Sequence, residues 1–133
     1  MKTLILAFLA AGGVSLASAC AQDAAAPEPQ TPSARILTVL TDADPQTQLM
    51  ALILTRASAQ AGADARVLLC GPAGDLALAE PTEAGAAPLA PRAMSPHGLL
   101  GRLIDEGVQV QVCAIYLPNT EHGADALREG VGQ

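Results

Sequence analysis

The chain has 133 residues, half of them hydrophobic but only 2 % aromatic, and its 13 Asp and Glu residues outnumber its 7 Lys and Arg residues. Because the chain is acidic and its basic residues form no cluster, nucleic acid is a poor candidate partner. With so few aromatic side chains, the core must consist of Leu, Val, Ile and Ala, and the length suits a single domain.

The N-terminal region has the pattern of an export signal. A basic start, Met1–Thr3, precedes an apolar run from Leu4 to Leu16 and a stretch of small residues. These are the n-region, h-region and cleavage region of a secretory signal peptide, and the run is shorter than the roughly 20 residues that span a bilayer. We therefore expect residues 1–21 to be a signal peptide and the mature protein to be periplasmic or secreted by a bacterium.

The cleavage site decides the fate of Cys20. An A-x-A pattern ends at Ala21, and cleavage there would remove Cys20 with the signal. The stretch "LASAC" resembles a lipobox instead, and cleavage before Cys20 would leave that residue lipidated and the protein anchored as a lipoprotein. A membrane partner is therefore expected only if Cys20 carries lipid. Residues 22–34 are rich in Ala and Pro and predict a disordered linker.

The next segment predicts a strand–helix–strand unit. The apolar run Ile36–Leu40 indicates a buried strand. Asp44 is a helix N-cap followed by proline, and Gly62 is a typical C-terminal glycine. Ala65–Cys70 is a second apolar run, typical of a strand that is covered on both faces. A strand, a helix and a strand within about 35 residues form a βαβ unit with parallel strands.

A proline-rich stretch separates this unit from the rest of the domain. Asp75 is predicted to begin a short helix that ends before Pro81. The residues from Pro81 to Pro96 are polar and interrupted by prolines, which predicts a long surface loop.

The C-terminal half repeats the alternation of helix and strand. Ser95–Pro96 begins a second helix, which ends at Gly107, and the valines of "GVQVQVC" then alternate in a strand that ends at Cys113. A last helix is predicted from about Glu121 to Glu129. The order of elements predicts a three-layer α/β/α sandwich with a mainly parallel sheet.

Ligand chemistry in such folds collects at the carboxyl ends of the strands. Those ends are predicted at Thr41–Asp42, Cys70–Gly71 and Cys113–Ala114. Two cysteines at two strand ends on one rim are the most informative functional feature of this sequence.

The segment "GLLGRLIDEGVQVQVC", a helix, a glycine and a Val-rich strand ending in cysteine, resembles the DsrE/DsrF-like sulfur-relay family, and the likeness extends from Ile36 to about Gly130. The resemblance implies a single DsrE/DsrF-like domain over residues 35–133, a homo-oligomer, and a protein sulfur donor or acceptor. It implies no cofactor. It also implies that Cys113 carries sulfur as a persulfide, and it assigns no role to Cys70.

Two departures from the family pattern are visible. Ala114–Leu117 follows the cysteine where family members often have small residues and an Arg-Gly pair. The family domain continues with another helix and an edge strand beyond the point that corresponds to Gln133. The sequence therefore indicates either a domain shortened at its C-terminus or a truncated chain.

The residues themselves leave three interpretations of Cys113 open. A sulfur carrier needs a partly exposed thiol with a lowered pKa. A Cys70–Cys113 disulfide would suit an oxidising compartment and strands about 4.8 Å apart. Both cysteines could also be small buried hydrophobes. We expect a sulfur carrier acting through Cys113; the alternative is a non-catalytic binding or assembly module with inert or disulfide-bonded cysteines.

Other polar residues offer weaker candidates. Asp42 and Asp44 could act as an acid/base pair or bind a metal, but a turn residue and an N-cap explain them better. His97 and His122 could activate a thiol, but both suit exposed first-turn positions. No metal-ligand spacing, nucleotide fingerprint or classical catalytic motif is present in the sequence, so no metal and no cofactor are expected.

Overall fold

The computed structural model describes residues 33–133, which form a four-stranded sheet with helices. In chain order the elements are β1 (Arg35–Leu40), α1 (Pro45–Gln60), β2 (Asp64–Leu69), α2 (Glu83–Ala86), α3 (Pro96–Asp105), β3 (Gln109–Val112) and β4 (Val131–Gly132). Short 3-10 helices span Gly71–Ala77, Leu117–Asn119 and Ala124–Ala126. The predicted signal peptide, Cys20 and nearly all of the predicted linker lie outside the described residues.

The helix α1, which connects β1 to β2, begins and ends where the sequence predicts. The Thr47 amide donates to Asp44 Oδ1 at 2.8 Å, and Pro45 occupies the first turn, so Asp44 caps α1. Gly62 has a φ of +92°, a left-handed conformation that glycine adopts without steric cost and that ends the helix. The chain then enters β2 beside β1.

The sheet is parallel throughout, with its strands in the order β1-β2-β3-β4. Val67 of β2 lies between Thr38 of β1 and Val110 of β3. The predicted α/β class with a parallel sheet is confirmed. Because each strand pairs with the next one in the chain and parallel crossovers are right-handed, successive connections pass over the same face.

The helices α1 and α3 contact each other and share one core with the sheet. Leu52 of α1 and Leu100 of α3 are fully buried, as is Leu69 of β2. Thr38 and Thr55 join their hydroxyl groups at 2.6 Å, which satisfies the polar groups that lie between β1 and α1. We call the face of the sheet that packs against α1 and α3 the covered face.

The opposite face, which we call the open face, has no helical layer within residues 33–133. Leu37 and Val39 are 61 % and 52 % exposed there, and Arg66 and Gln111 are exposed as well. A three-layer sandwich needs a crossover on each side of the sheet, and the consecutive strand order supplies crossovers on one side only. The apolar run of β2 is accordingly covered on one face rather than on both.

In the connection from β2 to β3, the structure confirms the predicted helix α3 but differs from the prediction in the segment before it. The Gly98 amide donates to Ser95 Oγ at 3.1 Å and Gly107 has a φ of +87°, so α3 begins and ends as predicted. The short helix predicted from Asp75 is wrong in start and type, because a 3-10 helix already begins at Gly71. The predicted surface loop contains α2, which Thr82 caps through the Gly85 amide at 3.1 Å.

The prediction of a last helix over residues 121–129 is wrong. The chain instead forms a 3-10 turn and the two-residue strand β4, in which Val131 lies opposite Val110. The Arg128 amide donates to the Ala77 carbonyl at 2.9 Å, so this segment is attached to the preceding loop. A helix confined between Gly123 and Gly130 would be short and marginal, and the residues that follow it, Val131 and Gly132, pair with the free edge of β3.

Candidate functional site

The two cysteines lie side by side at the carboxyl ends of β2 and β3. Leu69 and Val112 are the last residues paired in register, so the residues that follow them are neighbours as well. The Cα atoms of Cys70 and Cys113 are 5.1 Å apart, and their Sγ atoms are bonded as a disulfide across 43 positions of sequence. Of the three interpretations of Cys113, the disulfide is the state that the structure contains.

Backbone hydrogen bonds hold both cysteines in place. The Cys113 amide donates to the Leu69 carbonyl at 2.8 Å, and the Cys70 amide donates to the Leu40 carbonyl at 2.8 Å. The sheet hydrogen bonding therefore continues through both cysteines. The separation of their Cα atoms follows from the spacing of paired strands and needs no separate loop rearrangement.

The disulfide lies at the rim and not within the core. Leu69 and Val112 point into the covered face, where both are buried. Because side chains alternate along a strand, Cys70 and Cys113 project toward the side of the open face. Both cysteines are partly buried, although Cys113 also packs against the core cluster. Solvent therefore has partial access to the disulfide.

A cleft of about 430 Å³ lies between the segments that follow Cys70 and Cys113, although neither cysteine lines it. Its walls belong to the two loops that directly follow the cysteines, and the lining residues are Gly71, Pro72, Asp75, Ile115, Tyr116, Asn119 and Thr120. Two of the bulky residues after Cys113, Ile115 and Tyr116, therefore form part of the wall of this cleft. Ile115 is 71 % exposed at its edge.

Tyr116 fixes one loop of the cleft to the other. Its hydroxyl donates to Asp75 Oδ1 at 2.8 Å, and only 4 % of the residue is exposed. Burial, and then the bond to Asp75, raise the pKa of Tyr116 above its ordinary value of 10.0. The ring packs so closely on Gly74 that a methyl group there would overlap it. The rim therefore has a defined shape around the disulfide.

Tyr116, Asp75 and Gly74 are the site residues that sequence reasoning missed. The first two are separated by 41 positions, so no local pattern connects them. One signal was available, because Tyr116 is the only tyrosine of the chain and lies three residues after Cys113. A tyrosine in an otherwise aliphatic domain is expected to bury its ring and to find a hydrogen-bond partner for its hydroxyl.

The two acidic candidates, Asp42 and Asp44, both accept backbone hydrogen bonds at the start of α1. Asp44 caps the helix, and the Thr47 amide holds the pKa of the Asp44 carboxyl below its ordinary value of 3.8. Asp42 Oδ1 accepts from the Asp44 amide at 2.8 Å. Both carboxylates therefore have the turn and capping roles that the sequence favours over acid/base or metal chemistry.

The two histidines differ in their surroundings. His97 is partly buried, contrary to the exposed position expected, and its Nε2 lies 2.9 Å from the Leu78 carbonyl oxygen. Arg128 Nη1 also donates to the His97 carbonyl at 3.0 Å, so His97 connects α3 to two loops. His122 is exposed. His97 is thus explained by packing rather than by activation of a thiol.

Within residues 33–133, no three His, Cys, Asp or Glu side chains are grouped so that they could hold a metal ion. Each helix within this described part of the chain is too short or too polar to cross a membrane.

No family model matches this chain, and no curated protein matches it. The resemblance to the DsrE/DsrF-like family therefore stays a prediction based on the residue pattern around Cys113. Fold and site together define an α/β domain with a cysteine pair at the carboxyl rim of a parallel sheet.

Proposed function

We propose that this domain is a thiol-based sulfur carrier that acts through Cys113 when the Cys70–Cys113 disulfide is reduced. The position of the two sulfur atoms supports the proposal most strongly. Both cysteine residues are partly buried at neighbouring strand ends, directly before the segments that line a cleft. A carrier thiol has to be reached by its donor, and full burial among Val and Leu would have prevented that.

The transfer step needs only a persulfide donor and a thiolate. The Cys113 thiolate attacks the outer sulfur of a donor persulfide, the donor sulfur–sulfur bond breaks, and the donor leaves as a thiolate. Cys113 then holds the outer sulfur as a persulfide, and the step involves no net oxidation. We propose a protein as donor or acceptor, for which Pro72 and the exposed Ile115 at the cleft offer apolar contact area.

The proposal retains the exported location, periplasmic or secreted. An oxidising compartment accounts for a disulfide in the resting protein. Reduction by a dithiol partner then precedes each period of sulfur transfer.

The second candidate is a non-catalytic binding or assembly module. The disulfide itself favours it, because a permanent bond between Cys70 and Cys113 leaves no thiolate to accept sulfur. In that case the bond serves to stabilise the rim, and the cleft is a binding surface without chemistry.

Mass spectrometry of the reduced full-length protein separates the two candidates. The protein is reduced, freed of reductant, treated with inorganic polysulfide and digested with trypsin. The arginines place Cys70 in the peptide from Val67 to Arg92 and Cys113 in the peptide from Leu103 to Arg128. The carrier gains the mass of one sulfur atom on the second peptide, and Cys113→Ser does not.

Cys70→Ser is the matched control, because it also abolishes the disulfide but keeps the proposed carrier thiol. Uptake by Cys70→Ser and none by Cys113→Ser supports the carrier. If neither the reduced wild type nor Cys70→Ser takes up sulfur, the carrier is excluded and the binding module stands.

A further inference from the structure

We infer that Cys70 is a resolving cysteine, so that the domain reduces the sulfur it accepts and releases it as sulfide. The inference rests on the proposed carrier function of Cys113 and adds its product. It also assigns a role to Cys70, which the family resemblance leaves without one.

The geometry places the second thiol within reach of the first. The two Cα atoms are 5.1 Å apart, within the range of about 4.4–6.8 Å that disulfides occupy. The backbone bonds from Cys113 to Leu69 and from Cys70 to Leu40 are part of the sheet hydrogen bonding and do not depend on the sulfur–sulfur bond. The reduced protein therefore keeps the two sulfur atoms close enough to react.

A persulfide on Cys113 has two sulfur atoms, and the inner one is Sγ. The Cys70 thiolate attacks this Sγ, and the bond between Sγ and the outer sulfur breaks. The outer sulfur leaves with the bonding electron pair as hydrosulfide, and the Cys70–Cys113 disulfide remains. The two thiols have lost two electrons in total, and the sulfane sulfur has gained them, so the step balances without a cofactor.

The disulfide of the structure is then the product of one turnover. A further turnover needs a dithiol reductant that exchanges with the partly exposed disulfide through a mixed disulfide. In a reaction sequence, a source of sulfane sulfur precedes this domain and a reaction that consumes or exports sulfide follows it. A simple relay would instead retain the persulfide until an acceptor thiol arrived.

The test uses the full-length protein and inorganic polysulfide as the probe. Reduced wild type, Cys70→Ser and Cys70→Ala receive one equivalent, and samples are alkylated at intervals and digested. The persulfide on the Leu103–Arg128 peptide and free hydrosulfide are followed together. Loading from polysulfide can itself release hydrosulfide, so the variants provide the baseline. We expect wild type to exceed that baseline by one hydrosulfide per disulfide formed, and the persulfide to live roughly tenfold longer or more in both variants, since the neighbouring thiol reacts intramolecularly.

Three outcomes are decisive. An equally long-lived persulfide in wild type and in both Cys70 variants overturns the resolving role but leaves the carrier function intact. Absence of sulfur uptake by all three proteins removes the carrier function, and this inference with it. Uptake by the Val67–Arg92 peptide in preference to the Leu103–Arg128 peptide would reverse the two roles and so also overturn the assignment. The coupled loss of persulfide and gain of the Cys70–Cys113 disulfide in wild type, followed on the two peptides, needs no variant and is unaffected if a variant misfolds.

Discussion

On the covered face of the sheet, Val67 and Leu69 are buried beneath α1 and α3, whereas on the open face Leu37 and Val39 remain more than half exposed. The covered face is therefore stabilised by burial of apolar area. The open side contributes little burial, and its strongest link between strands is the disulfide at the carboxyl end. Most apolar burial thus lies on one face of the sheet, whereas the candidate chemistry lies at its carboxyl rim.

The largest expected difference comes from a matched pair of leucines in neighbouring strands. Leu69 is 0 % exposed and Leu37 is 61 % exposed. Leu69→Ala should lower the free energy of unfolding by about 2–5 kcal/mol, because it leaves a cavity. Leu37→Ala should change it by no more than about 0.5 kcal/mol. Urea denaturation of both variants measures the difference, and equal losses would show that the open face is covered in solution.

The disulfide should contribute a smaller amount that does not depend on apolar burial. Its bond closes a loop across 43 positions, and such a link typically stabilises by about 2–4 kcal/mol through the entropy of the unfolded chain. Denaturation of oxidised and reduced wild type under identical conditions measures the effect. Cys70→Ser should match the reduced protein, and identical stabilities of the oxidised and reduced forms would contradict the prediction.

Tyr116→Phe tests the hydrogen bond that joins the two loops of the cleft. The variant keeps the ring on Gly74 and removes only the hydroxyl that donates to Asp75. We expect a loss of about 1 kcal/mol in the free energy of unfolding, since the Asp75 carboxylate keeps access to the cleft and its water. A loss equal to that of Leu69→Ala would mean that the rim, and not the covered face, dominates stability.

The same hydroxyl predicts a dependence on alkaline pH. The pKa of Tyr116 is raised above its ordinary value of 10.0 in the folded protein, so folding favours the neutral phenol. This contribution is fully present below the unfolded pKa and is lost as pH rises through the folded pKa. Because the chain has one tyrosine, tyrosinate absorbance reports it directly. The native protein should ionise at higher pH than the urea-unfolded one; coincident curves would contradict the burial of Tyr116.

A further modest effect is expected at the exposed cap of α1. Asp44→Ala should lower the melting temperature at neutral pH, because it removes the oxygen that accepts from the Thr47 amide. The pKa of this carboxyl is lowered from 3.8 in the folded protein, so its contribution is present above that value and is lost as pH falls through the folded pKa. Melting curves of wild type and variant should therefore converge in acid, and a constant difference would show that the charge of Asp44 is irrelevant to the cap.

Local signals explain which parts of the fold could be predicted. Asp44 and Ser95 begin α1 and α3, and Gly62 and Gly107 end them, because caps act within a few residues of the backbone they satisfy. The parallel sheet follows from the βαβ order in the same way. Coverage of β2 could not be predicted locally, since it depends on where the later strands pair. The strand β4 depends on a partner far along the chain, which local helix propensity cannot reveal.

The position of the candidate site could be predicted from the sequence, but the disulfide between its two cysteines could not. Strand ends place Cys70 and Cys113 on one rim, as the sequence indicates. Whether they are adjacent depends on the register of β2 and β3, and pairing shifted by one residue would no longer place Cys70 opposite Cys113. The contact of Tyr116 with Asp75 is set by the packing of two loops, for which the sequence has no periodic signal.

Formation of the disulfide also depends on the register in which β2 and β3 pair. Along each strand, side chains alternate between the two faces, so a slip of one residue between β2 and β3 would direct Cys70 and Cys113 to opposite sides. In a folded chain, air oxidation therefore closes the bond when the two strands are aligned. Free thiol on the peptides of Cys70 and Cys113, measured separately from Cys20 in a refolded and oxidised sample, would therefore report folded chains in which these two strands are misaligned.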